Sequence, residues 1–429
     1  MIRKISYFFV IFSLLLFTYT SYRSEIIWEG NLREYYLNYF IFSFTLIIIS
    51  ITFLFFKTNI LKMIFIYLGS FLFSLYLFEG YSYFIDKSKL SEIAKIYEIK
   101  TGKIYETRSA SEFIEYEKKF NNKNFVQNIS PLNYKNIYSL GGISNENTVL
   151  CNEDGYMAKY KSDRYGFNNL DKIWDKDKIK YFLVGDSFVH GHCVNRPNDI
   201  ASVLMKLSKE TALNLGYGGN GPLIEYATLR EYLIPNVENI LWFFYDDNDL
   251  INLKKEFSNE LLKNYLFDEN FTQSLTTKQI QIDLNLKTII NKKENNFKKF
   301  IKLFETRQLI KKIILSNNKS NIKLNDFENF KNILIKSKKI ANYNNSNFYF
   351  VYLPSFSEFY DERYRHQYKY ENIKRIVQSL NINFIDTKNQ FFNKIEDPKS
   401  LYPNRTENHF NILGYRKVTK FVFDEINKK

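Results

Sequence analysis

Histidine and cysteine are both scarce in this 429-residue chain: four histidines, His190, His192, His366 and His409, and two cysteines, Cys151 and Cys193. Any imidazole chemistry has to use one of those four. His190 and His192 form an H-x-H, but no other histidine or carboxylate stands at ligand spacing from them, which argues against a metal centre. Nothing in the sequence calls for a cofactor. The cysteines allow a single pairing, which in an oxidising compartment ties the segment Asn152 to Tyr156 to the loop after Ser187; the alternative is two free thiols. Internal repeats and low-complexity linkers are absent. Acidic residues are outnumbered, 46 against 60 Lys and Arg, for a formal charge of +14. No recognised nucleic-acid module accompanies that charge, which excludes DNA or RNA as the natural partner. The excess is also local, because residues 251–345 carry 19 Lys and Arg against 9 Asp and Glu. That stretch, rich in Lys, Asn and Ile, has helical apolar spacing at Phe297, Phe300, Ile301 and Phe304 and reads as a helical insertion with a solvated basic face. Attraction to anionic glycans or lipid headgroups is the functional alternative.

What the chain has in plenty is apolar length near its start. Ile5 to Tyr19, Tyr39 to Phe56 and Met63 to Phe84 each approach the roughly 20 residues of a membrane-spanning helix. Arg3 and Lys4 precede the first run, but Thr18 to Tyr22 offers no A-x-A-like cleavage site, so the run reads as a retained anchor rather than a signal peptide. Glu79 near the end of the third run is an ionisable group to account for. Arg3, Lys4, Lys57 and Lys62 lie in flanks without an acidic residue. The positive-inside rule then leaves the N-terminus in the cytoplasm and everything after Phe84 on the far side, periplasmic or extracellular in a bacterium with an inner membrane. The expected domains are an anchor at 1–85, a stalk and linker at 86–150 with a helix from Leu90 to Lys118, and a globular domain at 151–429 that contains the insertion.

In that domain, strands are expected at Tyr181 to Val184, Ala212 to Leu215, Ile240 to Tyr245, Phe348 to Leu353 and Ile382 to Ile385, separated by helical stretches. The alternation implies an α/β fold, a parallel sheet covered on both faces. Gly185-Asp186-Ser187 follows the first strand and puts a serine on the lip of the crevice at the strand ends. A serine nucleophile needs a base and fixed donors for its oxyanion. His409, in Glu407-Asn408-His409-Phe410-Asn411, is the best-placed base, and Glu407 two residues earlier is the candidate to orient it; His366, in a polar stretch, is a backup. Leu213 to Pro222, rich in glycine, exposes backbone N–H groups after the second strand, and Asn248 offers an amide after the third.

With these blocks in this order, the chain from about Ser162 onward resembles the SGNH/GDSL hydrolase family. The resemblance makes Ser187 the nucleophile, with Ser187, Gly219 and Asn248 as oxyanion donors and His409 as the base, and it implies a flavodoxin-like three-layer fold. Ser162 to Asn169 is similar to the segment that precedes the GDS block in membrane-anchored relatives. The chain departs from the pattern at Asp247, where the family usually has glycine, and at Thr406, where its commonest final block has aspartate. Relatives similar to polysaccharide O-acetyltransferases place aspartate two residues before the histidine, where Glu407 stands; without Glu407 the site becomes a Ser–His dyad. The resemblance implies a membrane-anchored serine esterase or O-acyltransferase acting on acyl esters, acetyl above all, of a cell-envelope glycan. The alternative is a catalytically silent fold relative that binds envelope polysaccharide or supports an assembly.

Overall fold

The structure is a computed structural model and describes every residue except 1, 28–29, 31–32, 102–124, 128–132, 135, 155, 157, 291–299, 308, 311–323, 360–366 and 429. His366 and the part of the expected Leu90 to Lys118 helix after Thr101 lie outside the described residues. The chain divides into two compact units, Met1–Lys87 with Asn295–Ile314, and Ser88–Glu294 with Leu315–Lys429.

The first unit contains α1 (Ile2–Ser21), α2 (Arg33–Phe55) and the start of α3 (Thr58–Thr101). Three stretches, Arg3–Ile27, Tyr36–Phe55 and Thr58–Ser82, are long and apolar enough to cross a membrane. Ser13 and Ser50 share a hydroxyl hydrogen bond of 3.0 Å between α1 and α2. Glu79 is buried, and its carboxylate accepts the backbone N–H groups of Glu305 at 2.8 Å and Thr306 at 2.9 Å. Tyr76 adds a bond from its hydroxyl to the Ile301 carbonyl at 3.0 Å. Part of the expected insertion therefore belongs with the N-terminal helices.

The second unit is built on five parallel strands: β1 (Ile179–Val184), β2 (Ala212–Asn214), β3 (Val237–Tyr245), β4 (Asn347–Leu353) and β5 (Asn383–Asp386), in the order β2-β1-β3-β4-β5. That is the flavodoxin-like order, in which the chain reverses direction across the sheet beside β1 and opens a crevice at the carboxyl ends of β1 and β3. Alternate residues on each strand serve opposite layers. Phe182, Val184, Trp242 and Phe350 join one core, and Tyr181, Leu183, Phe243 and Val351 the other. Burial on both faces is why these strands read as unbroken apolar runs.

Helices cover both faces. On one side lie α4 (Ser187–His190), α5 (Ile200–Ser208) and the last helix, α12 (Ile412–Ile426). Asp199 caps α5 by accepting the Ser202 N–H at 3.0 Å, and Asn411 caps α12 by accepting the Gly414 N–H at 2.9 Å. Tyr415, Val418 and Val422 then fall on one face of α12 and are fully buried. Burying each valine contributes about 1.5–3 kcal/mol, before the entropy of ordering is counted. On the other face lie α6 (Pro222–Tyr232), α7 (Asp249–Glu256), α8 (Glu260–Phe267), α9 (Gln279–Ile290), α10 (Leu324–Tyr343) and α11 (Gln367–Ser379). Residues 251–345 are thus more than a solvated appendage. Leu253, Leu262, Ile282, Phe330 and Ile333 are part of the main core, because α7 to α10 form the layer connecting β3 to β4. Their lysines stay outside; Lys336 and Lys339, for example, pair with Glu269 at the surface.

Candidate active site

Ser187 stands where β1 ends, as the first residue of α4. Gly185 makes the turn possible: a Cβ there would lie 2.5 Å from Val189 Cγ2 and 3.1 Å from the Phe243 carbonyl oxygen. Asp186 caps α4, its carboxylate accepting the Phe188 N–H at 2.9 Å. The turn is braced from below. Asn214 donates to the Val189 carbonyl at 2.6 Å, and Asn168 to the His190 carbonyl at 2.9 Å. Asn169 in turn accepts the Asn214 N–H at 2.8 Å and donates to the buried Asp163 at 2.9 Å. The Ser162 to Asn169 segment is therefore a buttress for the turn that carries Ser187.

His409 Nε2 lies 2.8 Å from Ser187 Oγ. The serine has one proton, and its other neighbour, Asp186 Oδ2, is 3.4 Å away, so the histidine contact is the bond. The imidazole packs between Phe188 and His192, at ring centroid distances of 5.1 and 4.8 Å.

The carboxylate on the far side of that imidazole is not Glu407. Glu153 Oε1 lies 2.9 Å from His409 Nδ1, and Glu153 Oε2 accepts the His409 backbone N–H, also at 2.9 Å. Glu407 is exposed, and its carboxyl is raised above the ordinary range by partial burial and then by the nearby Asp247. The reason is steric order along the chain: with the His409 ring turned inward to Ser187, its Nδ1 faces the 150–158 hairpin rather than its own preceding residues. That hairpin is closed by Leu150 N–H to Ala158 O and Ala158 N–H to Cys151 O, both 2.8 Å. Cys151 and Cys193 are disulfide-bonded, which fastens the hairpin to the loop following α4. Spacing from His409 could not reveal Glu153, 256 residues away. The signal that could was the cysteine pair, since Cys151 carries Glu153 along with it.

The expected oxyanion donors surround the same turn. Gly219 is exposed at φ +87°, a conformation glycine adopts freely, in a loop pinned to the Ser187 turn on both sides. Tyr217 N–H and Asn220 Nδ2 both donate to the Gly185 carbonyl, at 3.2 and 3.4 Å, and Gly218 N–H donates to His190 Nδ1 at 3.2 Å. Asn248 hydrogen-bonds Asp186, whose carboxyl burial pushes upward. Asp247 is half-buried beside it.

His190 is buried and His192 half-buried. Burial pushes His190 down to about 3, and its Nε2 pairs with the Tyr160 hydroxyl at 3.1 Å. His192 is likewise driven down by burial, then by His409. Glu153, Cys193 and His409 bring potential metal-ligand atoms within 4.8 Å of one another, but the sulfur is bonded to Cys151 and offers no thiolate. Serine, imidazole and carboxylate in hydrogen-bonded sequence can raise the nucleophilicity of an alcohol toward an acyl carbonyl.

No protein-family model and no curated protein matches the chain. Among solved structures, a putative lipolytic protein of the G-D-S-L family from Desulfitobacterium hafniense DCB-2 is similar at 14% identity and TM-score 0.32, over 58% of this chain and 99% of that one. A member of the lipolytic protein G-D-S-L family from Veillonella parvula DSM 2008 is similar at 11% identity and TM-score 0.33, over 57% and 97%. Likenesses this loose say nothing about chemistry, which only the side-chain geometry can speak to.

Proposed function

We propose that this protein is a membrane-anchored serine esterase of the SGNH/GDSL type. The observation that carries the reading is the continuous relay from Ser187 Oγ through the His409 imidazole to Glu153, with contacts of 2.8 and 2.9 Å. Ser187 attacks the acyl carbonyl while His409 Nε2 takes its proton, and Glu153 holds the Nδ1 proton and stabilises the imidazolium. The backbone N–H groups of Ser187 and Gly219 and the Asn248 amide receive the oxyanion. His409 then returns the proton to the departing alcohol, leaving an acyl-Ser187 that water or a second hydroxyl clears.

Acceptor choice separates hydrolysis from acyl transfer. The three apolar helices and the positive-inside bias support a site on the outer side of a bacterial inner membrane, and acetyl esters of envelope glycans are the acyl donors we propose for it. Asp247 and Glu407, close enough to influence each other, stand next to Asn248 and His409 and favour neutral over acidic substrates. The full-length protein in detergent micelles is tested with p-nitrophenyl acetate and a fluorophosphonate probe. Turnover with labelling at Ser187 supports the reading; neither would overturn it in favour of a silent binding protein.

A further inference from the structure

We propose that the Cys151–Cys193 disulfide is a positioning device for the catalytic carboxylate, so that the redox state of this pair switches the site on and off. The inference rests on the serine-esterase reading and adds its regulation. Glu153 sits two residues beyond Cys151, in a hairpin whose apolar cluster among the described residues is Leu150, Ala158 and Tyr160, with Cys151 and Tyr156 packed against them. Cys193 is anchored in the core domain, in the loop that follows the nucleophile helix, and is itself buried. The disulfide joins these two parts across 42 residues of sequence. Tyr156 makes a neighbouring contact, donating to the Cys193 carbonyl at 3.2 Å. The same loop therefore carries the covalent tie on one side and leads back to Ser187 on the other.

Glu153 must be held to a fraction of an ångström to keep one oxygen on His409 Nδ1 and the other on its N–H. That pair of bonds holds the side chain, while the backbone that delivers it lies two residues from Cys151 and its disulfide. A dithiol reductant supplies two electrons and two protons, converting the disulfide to two cysteine thiols while the dithiol becomes its own cyclic disulfide. The hairpin tip is then released, and Ser187 and His409 remain without a fixed carboxylate.

The full-length protein in detergent is assayed oxidised, reduced with dithiothreitol and reoxidised, always with EDTA, because the freed Cys193 thiol lies near Glu153 and His409. Reduction is expected to lower kcat by about 10²-fold with little change in KM, and reoxidation to restore it. The Cys151→Ala/Cys193→Ala protein should match the reduced state. In Glu153→Gln, reduction should change kcat by less than about twofold, since the group being positioned is already gone. Equal activity in both redox states overturns the proposal, as does an equal proportional loss in Glu153→Gln, which would signify a general loosening of the fold. Hydrogen exchange of the His409 amide, read in Ser187→Ala protein, is independent of turnover: it should quicken on reduction, and unchanged protection defeats the proposal. A protein inert to ester and fluorophosphonate whose His409 amide still responds would instead count against the esterase reading alone.

Discussion

Glu153 grips His409 at two points, one carboxylate oxygen on Nδ1 and the other on the backbone N–H, each at 2.9 Å. Two contacts on one residue fix both the place of the imidazole and its tautomer: the proton sits on Nδ1, so the Nε2 lone pair is free to accept from Ser187. The pair is only about one-fifth exposed on either side, so water competes weakly for those bonds.

Glu153→Gln should therefore cost about 10² to 10⁴ in kcat, since an amide can present its NH₂ to Nδ1 and stabilise the wrong tautomer. Glu407→Gln should cost less than about threefold on p-nitrophenyl acetate. On an anionic ester it should raise kcat/KM by about twofold, the size of one screened surface charge. Steady-state kinetics on the two variants decides between them, and the opposite ranking would return the orienting role to Glu407.

Ser187→Ala should abolish fluorophosphonate labelling and lower kcat on the order of 10⁶-fold, while thermal unfolding stays close to that of the parent. Persisting label would identify a different nucleophile.

Asn248→Ala should lower kcat by about 10² to 10³ with KM nearly unchanged if its amide meets the oxyanion only as it forms. A rise in KM at constant kcat would mean that it binds the ground state instead.

Stability should fall as the medium becomes alkaline. Burial raises the Glu256 carboxyl to about 8, although it accepts the Gly221 and Leu223 N–H groups at 2.6 and 3.0 Å. The folded protein keeps that proton over a range in which the unfolded chain has lost it. Its contribution is thus complete below about 4.5 and disappears as pH climbs to about 8. Glu225 and Asp249, also raised by burial, act in the same direction. Melting temperatures from pH 5 to 9 should slope downward, and Glu256→Gln should flatten that slope; an unchanged slope would assign it to other groups.

The sheet was legible because each strand is buried on both faces, which leaves unbroken apolar runs such as Tyr181 to Val184. Ser187 and His409 were legible because each lies at the end of a recognisable element. Local proximity misled at Glu407, which is near His409 in sequence but whose side chain does not reach Nδ1. Residues 251–345 misled through composition: among the described residues, lysines such as Lys336 and Lys339 are on the solvent side, but Leu253, Leu262, Ile282, Phe330 and Ile333 belong to the layer that covers β3 and β4. A charge count cannot reveal on which side of a helix the charges fall.

The bond between Glu79 and the backbone of residues 305–306 has a practical corollary. Cutting the chain at Lys87 does not separate it into its two units, because the β3–β4 connection sends Asn295–Ile314 back to the first unit. A truncated form that begins after the third helix keeps this segment but deprives its N–H groups of their acceptor and Phe300 of Tyr76, 5.5 Å away ring to ring. Such a fragment carries a sticky orphan, and clumping during purification would report the missing Glu79 rather than a misfolded second unit. Excising the loop together with the helices, or keeping both, are the two clean ways to divide this protein.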